Sequence, residues 1–386
     1  MSASTARPGS GAARSAALNG RPPFRADHIG SLLRPASLRQ AHRLRASGAI
    51  NAQQFAQAQD AAIEELIALQ EGCGLPVVTD GEARRGSYWS RFVERVQGFR
   101  VGPAAFRFRD ENGAEAEFTA PFIAARLRRV RPIALDEFEF LQAHTSVMPK
   151  ITLPSAPTMQ FYGGRQAIDE DVYVDREVMF AELGQVYREE LQALYDAGLR
   201  YAQIDDVPLA MLCDPIIRDR VATEGDDPEY LVDLYIRAIN ECLRGLPDDL
   251  IVGLHLCRGN FKGRFLSVGG YDPVAEKLFS EVAVNHFLLE YDSDRAGDFE
   301  ALRHLPADKG AVLGLISSKR AELESIGALR RRVEQAAKIV DLGRLALSPQ
   351  CGFASTVAGN PVSEDNQRTK LIRVVEAAAA IWGSEA

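Results

Sequence analysis

Short apolar runs recur along the chain, and most end in a polar or glycine-containing turn that leads into helical sequence. Runs of this kind predict buried strands. Apolar residues at helical spacing between several of the runs predict helices over 51–71, 178–197 and 228–245. Eight runs fit the strand pattern: 24–29, 75–79, 150–153, 201–204, 250–256, 286–289, 311–316 and 345–347.

Strands that alternate with helices indicate a parallel sheet, and eight strand–helix units close naturally into a TIM barrel, the (β/α)8 fold. We therefore predict an α/β protein with this barrel. The alternative is an open doubly wound sheet, but no Gly-x-Gly-x-x-Gly motif follows the first run.

One interval breaks the alternation. About seventy residues separate the second run from the third, and the alternation around Asn112-Gly113 predicts a β-hairpin there. We interpret residues 90–148 as an insertion after strand 2, within one domain over 23–386. Residues 1–22 are rich in Ala, Ser, Gly and Arg and lack acids, which predicts a disordered tail.

The composition narrows the choice of partners and compartment. The 386 residues carry a formal net charge of −8 and no long basic run, which argues against a nucleic-acid partner. No apolar stretch approaches the ~18 residues that a membrane-spanning helix needs. The five cysteines are scattered and odd in number, so we expect no disulfide framework and predict a reducing cytoplasm.

Metal-capable side chains follow three of the predicted strands, at the rim where a TIM barrel places its active site. His255 and Cys257 stand two residues apart at the end of the fifth run, so in a strand both side chains project to one side. Glu290 follows the sixth run and Cys351 follows the eighth. Because equivalent strand ends meet at one rim, we expect the four side chains to lie together.

Two thiolates, one imidazole and one carboxylate suit tetrahedral Zn²⁺, whereas Mg²⁺ prefers oxygen. A His-x-Cys pair alone is a weak signal, Cys351 alone can be a core residue, and Glu290 alone can be a solvated charge. Their shared position favours a zinc site, and the spacing is not that of a zinc finger. The other cysteines fall in or beside helical sequence and are predicted to serve packing: Cys73, Cys213 and Cys242.

This ligand set predicts chemistry on sulfur. A zinc ion with two thiolate ligands is a weaker Lewis acid than a three-histidine site and is less suited to activating water. Coordination deprotonates a substrate thiol, whose pKa is otherwise ~8.5, and the sulfur stays nucleophilic towards an alkyl group. Glu290 is the weakest of the four ligands for so soft a site, and we predict that it yields as the substrate sulfur enters.

Other rim residues are candidates for binding the rest of a substrate. Glu82, Asp205 and Asp206 carry carboxylates that can bind an ammonium group, and Glu82, Asp205 and Glu290 are the candidate catalytic residues. Their alternative role is helix capping or ion pairing with arginine. Backbone amides are candidates for holding a substrate carboxylate at three positions: Ile29, Gly30 and Ser31.

Together these motifs resemble the catalytic domain of cobalamin-independent methionine synthase, in matching pieces from Phe24 to about Glu376. The matching motifs are IGS at 29–31, DGE at 80–82, QIDD at 203–206, HLC at 255–257, LLE ending at 290 and SPQCG at 348–352. The resemblance implies that the His-x-Cys, Glu and Cys set ligates zinc, which activates the homocysteine thiol. It also implies that four residues contact the amino-acid end of that substrate: Ile29, Ser31, Glu82 and Asp205.

Two stretches depart from the family pattern. The family's His-Ser-Pro-Arg motif after the seventh strand, whose His is linked to proton transfer, reads Ser317-Ser318-Lys319-Arg320 here. The family's Asp-Glu-Pro after the fourth strand reads Asp205-Asp206-Val207-Pro208. The methyl donor therefore stays open between methyltetrahydrofolate, a methyl-corrinoid and another small methyl compound. The chain resembles the short, single-barrel branch of the family.

The leading prediction is a zinc-dependent thiol S-methyltransferase that makes methionine from homocysteine, with a donor such as 5-methyltetrahydrofolate. The first alternative is an alkyltransferase for another thiol, like epoxyalkane:coenzyme M transferase. A decarboxylase of the uroporphyrinogen type would need basic residues and no thiolate ligands. A non-catalytic zinc barrel would not need the acid-rich rim. The oligomeric state is not predicted.

Overall fold

The computed structural model describes Leu18 and residues 20–383. Of the tail predicted for residues 1–22, Leu18 and residues 20–22 are described, and the rest lies outside the described residues. In the described part, no helix is both long enough and apolar enough to cross a bilayer.

An α/β architecture is built on a curled parallel sheet, as in a TIM-like barrel. Seven parallel strands hydrogen-bond in the order in which they occur along the chain, although four strands of two smaller sheets separate the first from the second in sequence. The strands of this sheet are β1 (Val77–Val78), β6 (Met148–Pro154), β7 (Tyr201–Asp206), β8 (Ile251–Leu256), β9 (His286–Glu290), β10 (Gly310–Ile316) and β11 (Leu345–Pro349). Seven of the eight predicted runs are thereby confirmed as strands.

The first predicted run does not form a regular strand. Ala26 makes an isolated parallel bridge to Leu347, with Asp27 N donating to Leu347 O at 2.9 Å. The carbonyls of the next two residues accept side-chain donors: Lys150 Nζ bonds His28 O, and Gln203 Nε2 bonds Ile29 O at 2.6 Å. The segment thus lies beside the last strand, β11. On the other edge of the segment, side-chain hydrogen bonds replace the backbone hydrogen bonds of a regular strand.

Helices lie between the strands, and the three that the periodicity predicts are confirmed. Each begins at a side-chain cap: Asn51 forms a capping box, and Asp175 and Asp227 accept from backbone amides of the first turn. The α-helices are α1 (Ala36–Ala46), α2 (Ala52–Gly72), α3 (Ser90–Arg95), α4 (Leu135–His144), α5 (Thr158–Phe161), α6 (Arg176–Asp196), α7 (Pro208–Met211), α8 (Pro215–Thr223), α9 (Pro228–Leu243), α10 (Asp272–Glu281), α11 (Ile326–Ala336) and α12 (Glu364–Trp382). Within the described residues there are four short 3-10 helices: Gly164–Ala167, Asp294–Ala296, Glu300–His304 and Leu342–Arg344.

Two antiparallel strand pairs lie between β1 and β6, together with the helices α3 and α4. Strands β2 (Val96–Pro103) and β5 (Thr119–Arg129) pair with each other. Between them, β3 (Phe108–Arg109) pairs with β4 (Glu115–Ala116). The turn of this small pair contains Gly113 at φ +80°, a backbone conformation that glycine adopts without strain.

A buried polar network lies inside the curl of the sheet. Lys150, which has no exposed surface, bonds Asp27 Oδ1 at 2.7 Å and Gln203 Oε1 at 2.9 Å. The Tyr201 hydroxyl donates to Asp27 Oδ2 at 2.6 Å and lies 2.8 Å from His286 Nε2. Burial disfavours the ionised Asp27 carboxyl, but Lys150 and the hydrogen bonds lower its pKa below the usual value. Asp27 and Lys150 therefore form a fully buried ion pair.

We expect Lys150→Met to destabilise the protein strongly, because it leaves the Asp27 carboxylate buried without its cation. The free energy of unfolding should fall by about 3–5 kcal/mol, as measured by chemical denaturation. Lys338→Met, at an exposed position, is the matched control and should change stability by no more than about 0.5 kcal/mol. Equal effects of the two substitutions would contradict the role given to the pair.

Candidate metal and substrate site

The carboxyl ends of the parallel strands bring the predicted site residues to one rim. Asp205 of β7 and His255 of β8 are register partners, and Glu290 ends β9. Cys257 follows β8 directly, and its amide donates to Asp206 O at 2.9 Å, which continues the ladder by one residue. The position of each residue at the carboxyl end of its strand therefore determines where its side chain lies.

Three metal-capable side chains meet in a buried cluster. The candidate ligand atoms of His255, Cys257 and Cys351 all lie within 4.8 Å of one another. The two thiol sulfurs are 3.1 Å apart, and all five cysteines are free thiols. We call His255, Cys257 and Cys351 the thiol–imidazole cluster.

The protonation of the imidazole leaves one nitrogen for a ligand. His255 Nδ1 lies 3.0 Å from the carbonyl oxygen of Leu288, which can only accept, so Nδ1 carries the proton. In the neutral imidazole Nε2 is then the lone-pair donor, and it is buried without a hydrogen-bond partner among the described residues. A carbonyl that orients the imidazole in this way is the usual arrangement behind a metal-binding histidine.

The electrostatics of the cluster also fit a metal ion. The hydrogen bond from Cys351 lowers the pKa of the Cys257 thiol to about 5 against the effect of burial, and His255 adds to the lowering. A thiolate beside a second thiol and a free imidazole nitrogen is a donor set that Zn²⁺ prefers. The residues present therefore fit zinc, with three protein donors in place.

Glu290 lies near the cluster but outside it. Its Oε2 accepts from the Arg258 amide at 3.0 Å, and its Oε1 accepts from Arg295 at 2.8 Å and lies 3.5 Å from Lys319 Nζ. Burial opposes its ionisation, but Lys319, Arg295 and Arg258 together lower the pKa of the carboxyl to about 2. The carboxylate predicted as the fourth ligand is thus held by cations in this structure.

Two predicted carboxylates face the same cavity as the cluster. Glu82, at φ 57°, accepts from Thr152 Oγ1 through Oε1 at 2.8 Å, while its Oε2 is buried without a partner among the described residues. Asp205 Oδ1 accepts from Gln203 at 2.7 Å, and burial raises the pKa of its carboxyl to about 7. Both groups have capacity for a cationic ligand.

Of the other predicted substrate contacts, two line the cavity and two do not. Ile29 and Ser31 line the cavity, whereas Gly30 packs against Thr152, which a Cβ at position 30 would meet at 2.7 Å. Asp206 does not line the cavity. Its carboxylate accepts from Ser155 Oγ at 2.6 Å and from the Leu209 amide at 2.8 Å, at the start of α7. The capping role that the sequence offered as an alternative describes Asp206.

Aromatic side chains form much of the remaining cavity wall, and the sequence reasoning missed them. The cavity has a volume of about 540 Å³ and runs from the thiol–imidazole cluster to the segment that precedes and includes β2–β5. The only available signal was the density of aromatic residues around the predicted hairpin. The aromatic residues that line the cavity are Tyr88, Trp89, Phe108, Phe118, Tyr162 and Phe261.

Comparison with known proteins identifies the family. The model of the cobalamin-independent synthase catalytic domain matches residues 24–380. The chain therefore belongs to the cobalamin-independent methionine synthase family. The uncharacterized protein YxjH of Bacillus subtilis (strain 168) is 38% identical over 362 residues, covering 93% of this chain and 95% of that protein. Methionine synthase of Pyrococcus horikoshii is 25% identical over 350 residues, covering 89% and 91%.

Solved structures share the fold along nearly the whole chain. A Listeria monocytogenes protein, assigned as a vitamin-B12 independent methionine synthase, gives a TM-score of 0.72 at 33% identity and covers 94% of this chain and 99% of that one. A B12-independent methionine synthase from Shewanella sp. W3-18-1, solved with selenomethionine, gives 0.71 at 19% identity and covers 94% and 98%. At that identity the second likeness shows the fold alone.

We expect Gly352→Ala to disturb the rim where the cluster meets the substrate contacts. A Cβ at Gly352 would lie 1.9 Å from Ser31 Oγ and 3.2 Å from Ser31 O, so the rim must shift. The free energy of unfolding should fall by about 1–3 kcal/mol in chemical denaturation. Gly327→Ala is the control, since the nearest atom to its Cβ is 3.6 Å away, and it should not destabilise the protein. A Gly352→Ala protein of full stability would contradict this packing.

Proposed function

We propose that this protein is a zinc-dependent thiol S-methyltransferase that converts homocysteine to methionine. The observation that carries the proposal is a shared cavity: the thiol–imidazole cluster and two carboxylates suited to an ammonium group, Glu82 and Asp205, line the same space. Membership of the family supports the reaction class. The proposal includes one (β/α)8 domain over 23–386, with residues 90–148 as an insertion after strand 2.

Zinc bound at the cluster would deprotonate the substrate thiol and keep its sulfur nucleophilic. His255, Cys257 and Cys351 would hold the ion, with Leu288 O fixing the imidazole. We assign Glu290 as the exchangeable fourth donor.

Two cationic side chains also bind the Glu290 carboxylate when it is not a ligand. Arg295 and Lys319 hold it at 2.8 and 3.5 Å when it is not a ligand. Exchange of Glu290 therefore does not leave a buried charge without a partner.

The amino-acid end of homocysteine is assigned to the rim. Glu82 Oε2 and the Asp205 carboxylate receive the ammonium group, and its positive charge favours the ionised form of Asp205 against burial. Ser31 and the backbone beside Ile29 contact the carboxylate. The cysteines are all free thiols, which supports a reducing compartment such as the cytoplasm.

Coenzyme M is the competing thiol, and the cavity does not suit it. A sulfonate calls for a cationic partner, but none of the residues that line the cavity is Lys or Arg. The buried carboxylates would oppose the sulfonate. The lining residues therefore favour homocysteine over coenzyme M as the thiol substrate.

We expect Cys257→Ser and Cys351→Ser each to lose zinc and methyl transfer together. Metal content, measured by elemental analysis of the purified protein, should fall well below one zinc per chain, and the rate should fall at least about 100-fold. Cys73→Ser is the matched control, because among the described residues that thiol donates to the Arg368 carbonyl alone, at 3.7 Å. Retention of zinc and activity in both test variants would refute the assignment.

Glu82→Gln and Asp205→Asn should weaken homocysteine binding by about 10- to 100-fold while zinc content stays unchanged, because each removes a charged partner of the ammonium group. Isothermal titration with homocysteine and with coenzyme M separates the two thiols, since coenzyme M has no amine. Glu65→Gln, at an exposed position of α2, is the control. If homocysteine binds both variants as tightly as the parent protein, the rim does not hold its ammonium group.

A further inference from the structure

The Glu82 side chain is held through one carboxylate oxygen and free at the other. Its backbone takes φ 57°, a left-handed conformation that costs free energy for a residue with a Cβ, and its amide donates to Asp80 Oδ1 at 2.9 Å. Oε1 accepts from the Thr152 hydroxyl at 2.8 Å, whereas Oε2 is buried without a hydrogen-bond partner among the described residues. The residues that hold Oε1 therefore determine how Oε2 is presented to the cavity that Glu82 lines.

A buried arginine fixes the direction of the Thr152 hydroxyl. Arg85 Nη1 donates to Thr152 Oγ1 at 2.9 Å, and since a guanidinium can only donate, the hydroxyl proton is left for Glu82 Oε1. Arg85 Nη2 also donates to the Thr152 carbonyl at 2.9 Å. One guanidinium thus holds both the side chain and the backbone of Thr152. Arg85 and Thr152 are buried, and neither lines the cavity.

Glu137 of α4 is the main anionic partner of Arg85. Its Oε2 accepts from Arg85 Nη2 at 2.8 Å and from Nε at 3.2 Å, whereas Glu82 Oε1 lies 3.5 Å from Arg85 Nη1. Burial opposes the charge of Arg85, but the surrounding carboxylates, Glu137 most of all, raise its pKa above the ordinary value. Arg85 is therefore a cation that Glu137 chiefly neutralises, which leaves the charge of Glu82 for a ligand.

The contacts of Glu137 favour its ionised form. Burial raises the pKa of its carboxyl, and Arg85 opposes that rise. Oε1 lies 3.4 Å from Arg85 Nε and 3.5 Å from Arg91 Nε, so both oxygens face N–H groups, which an ionised carboxylate can accept. Glu137 also lies in the first turn of α4, where the helix N-terminus favours a negative charge.

We propose that Thr152, Arg85 and Glu137 form a positioning array for Glu82, which makes the site specific for a thiol substrate that carries an α-amino group. This inference rests on the function proposed above and adds three residues that do not line the cavity. Glu82 contacts the ammonium group, and the positioning array acts through Glu82.

The positioning array controls both the direction and the available charge of Glu82. Without the Thr152 hydroxyl, Glu82 Oε1 and Arg85 Nη1 each lose a partner and are free to pair directly. Without the charge of Glu137, Glu82 is the remaining anionic partner of Arg85 among the described ion pairs. In either case Glu82 is drawn towards Arg85 and away from an ammonium group. A thiol without an amine loses nothing by this change.

The segment between β1 and β6 supplies the charge behind the substrate contact. Glu137 is 52 residues from Arg85 along the chain, and Thr152 of β6 is 67 residues from it. Residues 90–148, predicted as an insertion, therefore include one member of the positioning array, and that member lies outside the cavity wall.

Paired titrations measure this specificity. The zinc-loaded protein is titrated calorimetrically with homocysteine and with 4-mercaptobutanoate, which has the same thiol and carboxylate but no amine. Thr152→Val, which replaces the hydroxyl with a methyl group, should weaken homocysteine binding about tenfold and change 4-mercaptobutanoate binding less than about twofold. Thr152→Ser keeps a hydroxyl and should keep the preference for homocysteine. Equal weakening for both thiols would show a general structural role and overturn the proposal.

Glu137→Gln tests the charge of the positioning array. It keeps the shape of the side chain but removes the main anionic partner of Arg85, so homocysteine binding should again weaken about tenfold while 4-mercaptobutanoate binding stays unchanged. Glu139→Gln, at an exposed position of the same helix, is the matched control and should bind both thiols as the parent protein does. Circular dichroism and zinc content check folding, and Thr152→Val decides alone if Glu137→Gln does not fold.

Double variants show whether the positioning array acts through Glu82. In a Glu82→Gln background, Thr152→Val and Glu137→Gln should lose most of their effect on homocysteine binding, whereas fully additive losses would overturn the proposal. Weakened binding in Glu82→Gln but parent-like binding in both array variants overturns this inference alone. If the zinc-loaded parent protein does not bind homocysteine, the proposed function fails and the positioning array fails with it.

Discussion

The buried contact between Asp27 and Lys150 is the interaction on which the rest of the sheet depends. The first segment forms no regular strand, so it is held to the sheet by one bridge and by side chains that reach across the interior. Lys150 also bonds Gln203, whose amide donates to Asp205 at the rim. One chain of hydrogen bonds thus joins the first segment to the Asp205 carboxylate at the rim, and each member has few alternative partners because all are buried.

Buried hydrogen bonds and strand register also place the candidate metal donors. The carbonyl of Leu288 decides which nitrogen of His255 is free, and the strand register decides that this nitrogen faces two thiols. Burial of a charge in this region costs free energy unless the charge is paired. Glu290 satisfies that condition through Arg295 and Lys319, so the carboxylate can be ionised beside a thiolate before any metal is bound.

Strand positions and metal-capable residues could be predicted because they depend on local pattern. The runs that became β7 and β8 are apolar and bounded by turns, and a parallel sheet leaves their ends at one rim. The prediction of a first strand over 24–29 was wrong in detail, because side chains distant in sequence replace the backbone hydrogen bonds of a regular strand. Likewise Asp206 and Glu290 were assigned by position alone, but their partners, Ser155 and Arg295, are set by tertiary contacts that periodicity does not contain.

Charge also explains why the segment between β1 and β6 contributes rings rather than cations to the cavity. The inner end already holds Glu82, Asp205 and two thiols, and a bound zinc ion and substrate ammonium would neutralise only part of that charge when the thiols are ionised. A basic side chain in place of Phe108 or Phe118 would pair with the inner carboxylates and thiolates and compete with the substrate. Rings exclude water, strengthen the local electrostatics and still attract a cation. The aromatic wall therefore keeps the inner carboxylates available for ligands.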